Sequence, residues 1–71
     1  MTYSHQAIHQ RLTSENPDDR RVAAVMIGKA RRHDYADSLM DLLRDDESAD
    51  VRAMAAFALD LLSTVEALPA L

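Results

Sequence analysis

A chain of 71 residues with a formal net charge of −4 and no cysteine has room for one small domain. The absence of cysteine excludes disulfides and thiolate metal sites, and it favours a reducing, cytoplasmic location. The acidic balance argues against a nucleic-acid partner, and no apolar run approaches the roughly 20 residues that would span a membrane. A chain this short buries only about 60% of its unfolded surface, so we expect a marginal core that association could support.

Few turn-forming residues and an alanine- and leucine-rich composition predict an all-α fold. In chain order, the first helix is expected over residues 4–13. The second is expected over residues 17–32, because Asn16 is a suitable N-cap and Pro17 fits the first helical position, where its missing N–H costs nothing. Acidic residues open this helix and basic residues close it, in agreement with the helix dipole.

The third and fourth helices have similar boundary signals. Asp34 is the expected N-cap of a helix over residues 35–44. Either Ser48 or Asp46 is expected to cap a fourth helix over residues 49–63.

The chain contains an internal repeat, which appears when the sequence is shifted by 32 residues against itself. The shift aligns Glu15 with Glu47, Asp18 with Asp50, Arg20 with Arg52, residues 23–24 with 55–56, and Ile27 with Leu59. Each unit therefore reads as a long helix, a short connection and a second helix.

Helical periodicity predicts which side of each helix is buried. In the second helix the predicted inner residues are Val22, Ala23, Val25, Met26, Ile27 and Ala30, and the outer ones are Arg20, Arg21, Ala24 and Gly28. In the fourth helix the inner residues are Val51, Met54, Ala55, Phe57, Ala58, Leu59, Leu61 and Leu62, and the outer ones are Arg52, Ala53, Ala56 and Asp60. Arcs this wide indicate neighbours on more than one side, as in stacked helices.

The third helix is more strictly amphipathic than the others. Its predicted buried residues are Ala36, Leu39, Leu42 and Leu43, and a narrow opposite stripe contains Asp34, Asp37, Asp41 and Asp45. The first helix offers only Ala7, Ile8 and Leu12 as core.

The segment from Asp50 to Leu59 resembles the first helix of a HEAT-like repeat, and the segment from Asp19 to Gly28 resembles it in a weaker form. Residues 34–43 and 66–71 resemble the second helices of such units, in the short alanine-rich variant also found in phycobilisome lyases. The resemblance implies an α-solenoid, a right-handed stack of four to five helices. It also implies that an aspartate and an arginine of each first helix tie neighbouring turns together. The matching positions are Asp18, Arg20, Asp50 and Arg52.

The resemblance covers one domain, residues 1–71, with a lone helix (4–13), a first repeat (17–44) and a truncated second repeat (48–71). Because the second repeat stops at Leu71, the equivalent of Leu39, we expect a fragment of a longer solenoid or association between copies through open ends.

HEAT repeats are protein-interaction solenoids whose second helices line the concave surface, so the resemblance implies a protein-binding scaffold rather than an enzyme. The expected partner-binding residues are Asp37, Asp41, Arg44 and Asp45, and their charge favours a basic protein partner. A self-associating structural unit is the alternative. A bilin-lyase-like accessory domain is a more distant one, because one phenylalanine and two tyrosines make a poor chromophore pocket.

Other clusters of polar residues do not favour catalysis or a cofactor. His5 and His9 are four residues apart on one helix, but a metal site needs three or four ligands, so no metal is expected. The basic run from Lys29 to His33 could bind a phosphate or an acidic partner, although helix-dipole complementarity also accounts for it. The sequence has no cysteine nucleophile and no glycine-rich phosphate loop.

Overall fold

The structure is a computed structural model that describes residues 4–67, and it describes the side chains of residues 4–63. The described chain forms α1 (His5–Leu12), α2 (Pro17–Ala30), a short 3-10 helix (His33–Tyr35), α3 (Ala36–Asp45) and α4 (Ala49–Ala67). Residues 4–67 contain no strand, and the predicted all-α class is confirmed.

The start of α2 forms as its sequence predicts, and its end does not follow the usual rule. The Asn16 side chain accepts a hydrogen bond from the Asp18 N–H at 2.9 Å, and Pro17 occupies the first helical position. The helix ends at Ala30, and its C-cap residue Arg31 has φ 55° and ψ 45°, a left-handed conformation that glycine usually adopts. The N–H groups of Arg31 and Arg32 still reach carbonyl groups of the last turn.

The predicted cap of the third helix is wrong. Asp34 lies within the 3-10 helix, and its carboxylate accepts hydrogen bonds from Arg32 at 2.9 and 3.0 Å instead of capping α3. At α4 both predicted caps contribute, because the Ser48 hydroxyl accepts from the Val51 N–H and Asp46 accepts from the Ser48 N–H.

The far end of α4 differs from the expected second hairpin. The helix continues to Ala67, four residues past its predicted end at Ser63, so Glu66 and Ala67 belong to α4. The rest of the helix predicted over residues 66–71 lies outside the described residues.

The core forms where α2 and α4 pack side by side, with α1 packed on α2 and α3 packed on α4. This arrangement is a stack of helical hairpins. Its largest completely buried side chains are Ile8, Ile27, Leu39 and Val51. The main cluster consists of Ile8, Ala24, Met26, Ile27, Tyr35, Leu39, Ala55, Ala58 and Leu62.

Three residues predicted on the outer side of α2 are buried: Arg20, Ala24 and Gly28. The prediction failed because α2 lies between two helices, so the side facing α4 is covered as well as the side facing α1. On the side of α2 that faces α4, an alanine or a glycine allows the two helices to approach closely. The periodicity of large apolar residues does not reveal this side, because small residues occupy it.

Two residues predicted to be buried are exposed. Phe57 is 56% exposed and Leu43 is 37% exposed. Each lies on a flank of its helix that no other described helix covers, so the broad apolar arcs of α3 and α4 extend beyond their contacts within residues 4–63.

Candidate interaction surfaces

A buried ion pair joins the two repeats. The Arg20 guanidinium donates to both carboxylate oxygens of Asp46, at 2.8 and 3.1 Å, and the two side chains are only 11% and 5% exposed. The same guanidinium donates to the carbonyl oxygens of Ser14 and Glu15. Arg20 therefore links the connection before α2 to the connection before α4.

The electrostatics of this pair follow from its geometry. The hydrogen bonds from Arg20 hold the pKa of Asp46 below its usual value, although burial opposes the shift. Asp46 raises the pKa of Arg20 in return. Two-point contact between a guanidinium and a carboxylate adds geometric specificity to the attraction of the charges, so the pair holds α2 against the connection before α4 in one orientation.

Arg52, the repeat equivalent of Arg20, makes the equivalent contact. It donates to the carbonyl oxygen of Asp46 at 2.7 Å, as Arg20 does to Ser14, and Asp46 follows Ser14 by one repeat length. Asp18 and Asp50 have exposed side chains in the first turns of α2 and α4. The carboxylate that joins the repeats is Asp46, which sequence reasoning considered only as a helix cap.

The expected partner-binding residues share the outer side of α3. We define the acidic face as Asp37, Met40, Asp41, Arg44 and Asp45, all of them exposed. Arg44 donates to Asp41 at 2.8 Å and lies 3.7 Å from Asp45, but these side chains are 63–72% exposed. Exposed ion pairs of this kind contribute little to stability. The face keeps a negative balance and presents Met40, 45% exposed, beside its carboxylates.

A second surface lies between α2 and α4. We define the basic groove as Gly28, Lys29, Arg31, Phe57 and Leu61, which line a cavity of about 310 Å³. At Gly28 the two helices approach closely, because a β-carbon there would lie 3.2 Å from the Ala58 Cα. The exposed ring of Phe57 and the cationic side chains of Lys29 and Arg31 line this groove. Sequence reasoning missed this groove because it placed Phe57 in the core and Gly28 outside.

The basic run from Lys29 to His33 is divided between two environments. Arg32 pairs with Asp34 and lies 5.1 Å from the centre of the Tyr35 ring. This pairing lowers the pKa of Asp34 and raises that of Arg32. Lys29 and Arg31 instead border the basic groove.

His5 joins α1 to the 3-10 helix. Its ring stacks on Tyr35 and on His9, and its Nδ1 atom forms a hydrogen bond with the Tyr35 hydroxyl. Tyr35 is buried and carries the contact from α1 to the start of α3. His5 therefore packs between Tyr35 and His9.

Within the described side chains, no three histidine, aspartate or glutamate residues converge on a point where a metal ion could bind. None of the helices in the described part of the chain has the length and apolar character required to cross a membrane.

Comparison with known proteins identifies the architecture. The family model for HEAT repeats matches residues 6–71, which is nearly the whole chain. No curated protein and no solved structure matches the chain. The match confirms the HEAT-like repeats inferred from the sequence, and the phycobilisome-lyase variant stays a prediction.

Proposed function

Because this chain belongs to the HEAT repeat family, we propose that it is a non-catalytic protein-interaction module whose acidic face on α3 binds a basic protein partner. HEAT repeats generally serve as protein-interaction scaffolds, with the second helix of each hairpin on the binding side. Here α3 is the second helix of the first repeat. The cysteine-free sequence supports placing this interaction in the cytoplasm.

The observation that carries the proposal is the composition of the acidic face. Asp37, Asp41 and Asp45 follow one another at four-residue intervals, so their carboxylates lie on one side of the helix and repel one another. A single arginine only partly offsets that repulsion. Exposed Met40 adds apolar area among the charges, and methionine adapts readily to the shape of a partner. A basic surface with a small apolar centre would complement this face.

Charge reversal on α3 tests the proposal. The double variant Asp37→Lys/Asp41→Lys would be used beside the unaltered chain to capture proteins from the native host extract, with quantification by mass spectrometry. We expect recovery of basic partners to fall at least tenfold, because like charges now face each other. Both substituted positions are exposed, so circular dichroism should show an unchanged helical fold.

The matched control is Glu15→Lys/Glu47→Lys, which changes the net charge by the same amount in the connections before α2 and α4. This variant should capture the same partners as the unaltered chain. Equal recovery by the unaltered chain and the α3 variant would refute the acidic face as the binding surface. Equal losses in both double variants would indicate a response to net charge alone.

A further inference from the structure

The exposed apolar side chains divide between two surfaces of opposite charge. Among the described residues, the large hydrophobic side chains most open to solvent are Met40, Leu43 and Phe57. Met40 belongs to the acidic face, and Leu43 borders it one helical turn further along. Phe57 belongs to the basic groove. One apolar patch therefore lies beside negative charges and the other beside positive charges, so the two surfaces attract each other.

The basic groove combines apolar and cationic side chains. Phe57 and Leu61 are one turn apart on α4, and both line the groove together with Gly28 of α2. Lys29 and Arg31 lie at the end of α2, both exposed. Neither cation forms an ion pair with a carboxylate in the described part of the chain, unlike Arg20, Arg32 and Arg44. Their charge is therefore available to an acidic ligand.

We propose that the basic groove of one copy binds the acidic face of a second copy. Met40 and Leu43 of one copy would cover Phe57, while carboxylates of the acidic face would meet Lys29 and Arg31. This inference rests on the proposed function, since it uses the same acidic face. It identifies the basic partner as a second copy of this chain, which binds through its basic groove.

Three physical arguments favour a second copy as the occupant. The groove is lined by α2, its C-cap and α4, and the acidic face is on α3, which packs on α4, so one copy cannot close the contact on itself. The opposite charges raise the rate and specificity of encounter. A small chain with a marginal core also gains from covering exposed apolar surface.

The symmetry of the contact predicts its products. The two surfaces differ, so the contact is head-to-tail, and such contacts form rings or open chains of copies. This association differs from end-to-end stacking of the solenoid, which would use the exposed ends of the repeats. It should also weaken as salt is added, because its charges lie at the surface.

Sedimentation of the full chain over a range of concentrations tests the proposal. We expect the average mass to rise above the 7.9 kDa monomer with concentration, and less so in high salt. Lys29→Glu/Arg31→Glu and Asp37→Lys/Asp41→Lys should each raise the dissociation constant at least tenfold. An equimolar mixture of the two variants should recover the association, because each groove then finds a face of opposite charge.

Two milder variants guard against a loss of folding. Phe57→Gln removes only an exposed ring, and Arg31→Gly places glycine at a left-handed position, so both should keep the fold while weakening association. A chain that stays monomeric at every concentration, or a variant mixture that does not associate, would overturn the proposal. If neither charge-reversal variant changed the dissociation constant, the copies would associate through the solenoid ends instead, and the proposal would be wrong.

The result is separable from that of the proposed function. If the unaltered chain is monomeric but loses its captured partners on Asp37→Lys/Asp41→Lys, the acidic face binds a different protein and only the self-association is wrong. If the chain associates through the groove and captures nothing else, the partner of the acidic face is the second copy.

Discussion

Replacement of Gly28 by alanine tests how closely α2 and α4 pack. Glycine in the middle of a helix costs about 0.5–1 kcal/mol relative to alanine, so helix propensity alone predicts a stabilised protein. The added Cβ would lie 3.1 Å from Leu61 Cδ1 and 3.2 Å from both the Cα and the Cβ of Ala58. The Leu61 side chain can turn away, but the Ala58 backbone can move only if the two helices separate.

The balance of these effects gives a destabilised variant. Overpacking costs about 1–3 kcal/mol, which exceeds the gain in helix propensity. We therefore expect Gly28→Ala to lower the free energy of unfolding by about 1 kcal/mol and the Tm by about 4–8 °C. Urea and thermal unfolding followed by far-ultraviolet circular dichroism would measure both.

The control for the propensity contribution is Ala56→Gly, at an exposed position of α4. It should lose about 0.5–1 kcal/mol through propensity alone. If Gly28→Ala instead gained the amount that Ala56→Gly lost, α2 and α4 would have room for the extra methyl group, and the close approach would be refuted.

The remaining predictions concern Asp46 and Arg31. Asp46→Ala should lower the free energy of unfolding by about 3 kcal/mol, since it leaves a buried guanidinium without its carboxylate, whereas Asp41→Ala should cost less than about 1 kcal/mol at its exposed pair. Because Arg20 depresses the pKa of Asp46 in the folded chain, this contribution is complete above the unfolded pKa of about 3.9 and is lost as the pH falls through the folded value. Urea titrations at several acidic pH values should therefore show a steeper loss of stability in the unaltered chain than in Asp46→Ala, and parallel losses would contradict the assignment. Arg31→Gly should leave stability unchanged or raise it by up to about 1 kcal/mol, because glycine relieves the left-handed strain but loses more entropy on folding; a clear loss in thermal melts would show that the arginine side chain supports the fold.

The features of this chain that depend on local chemistry or on the internal repeat could be predicted from the sequence. The start of α2 follows from Asn16 and Pro17, whose capping chemistry depends only on neighbouring residues. The paired repeat units follow from the match between Arg20 and Arg52, which occupy equivalent places in the structure. Local chemistry and sequence periodicity suffice for such features because they do not depend on the position of a third element.

The resemblance predicted a linking role for Arg20, but the carboxylate that it binds could not be predicted, because that contact is tertiary. Arg20 and Asp46 are 26 residues apart, and Asp46 also has a plausible local role as a helix cap. Phe57 was misplaced for a related reason. An apolar arc on a helical wheel indicates which residues can be buried, but only the neighbouring helices decide how much of that arc they cover.

The departures from local preference themselves point to the basic groove. Arg31 holds a left-handed conformation that glycine would adopt without strain, and Phe57 exposes an aromatic ring that a polar residue could replace without loss of helix. Both side chains are exposed, whereas Gly28 is explained by the close approach of α4. Local sequence preferences tend to be broken at functional sites, where a side chain serves a ligand rather than the fold. That two unexplained departures line the same 310 Å³ groove favours a ligand for it over an accident of composition.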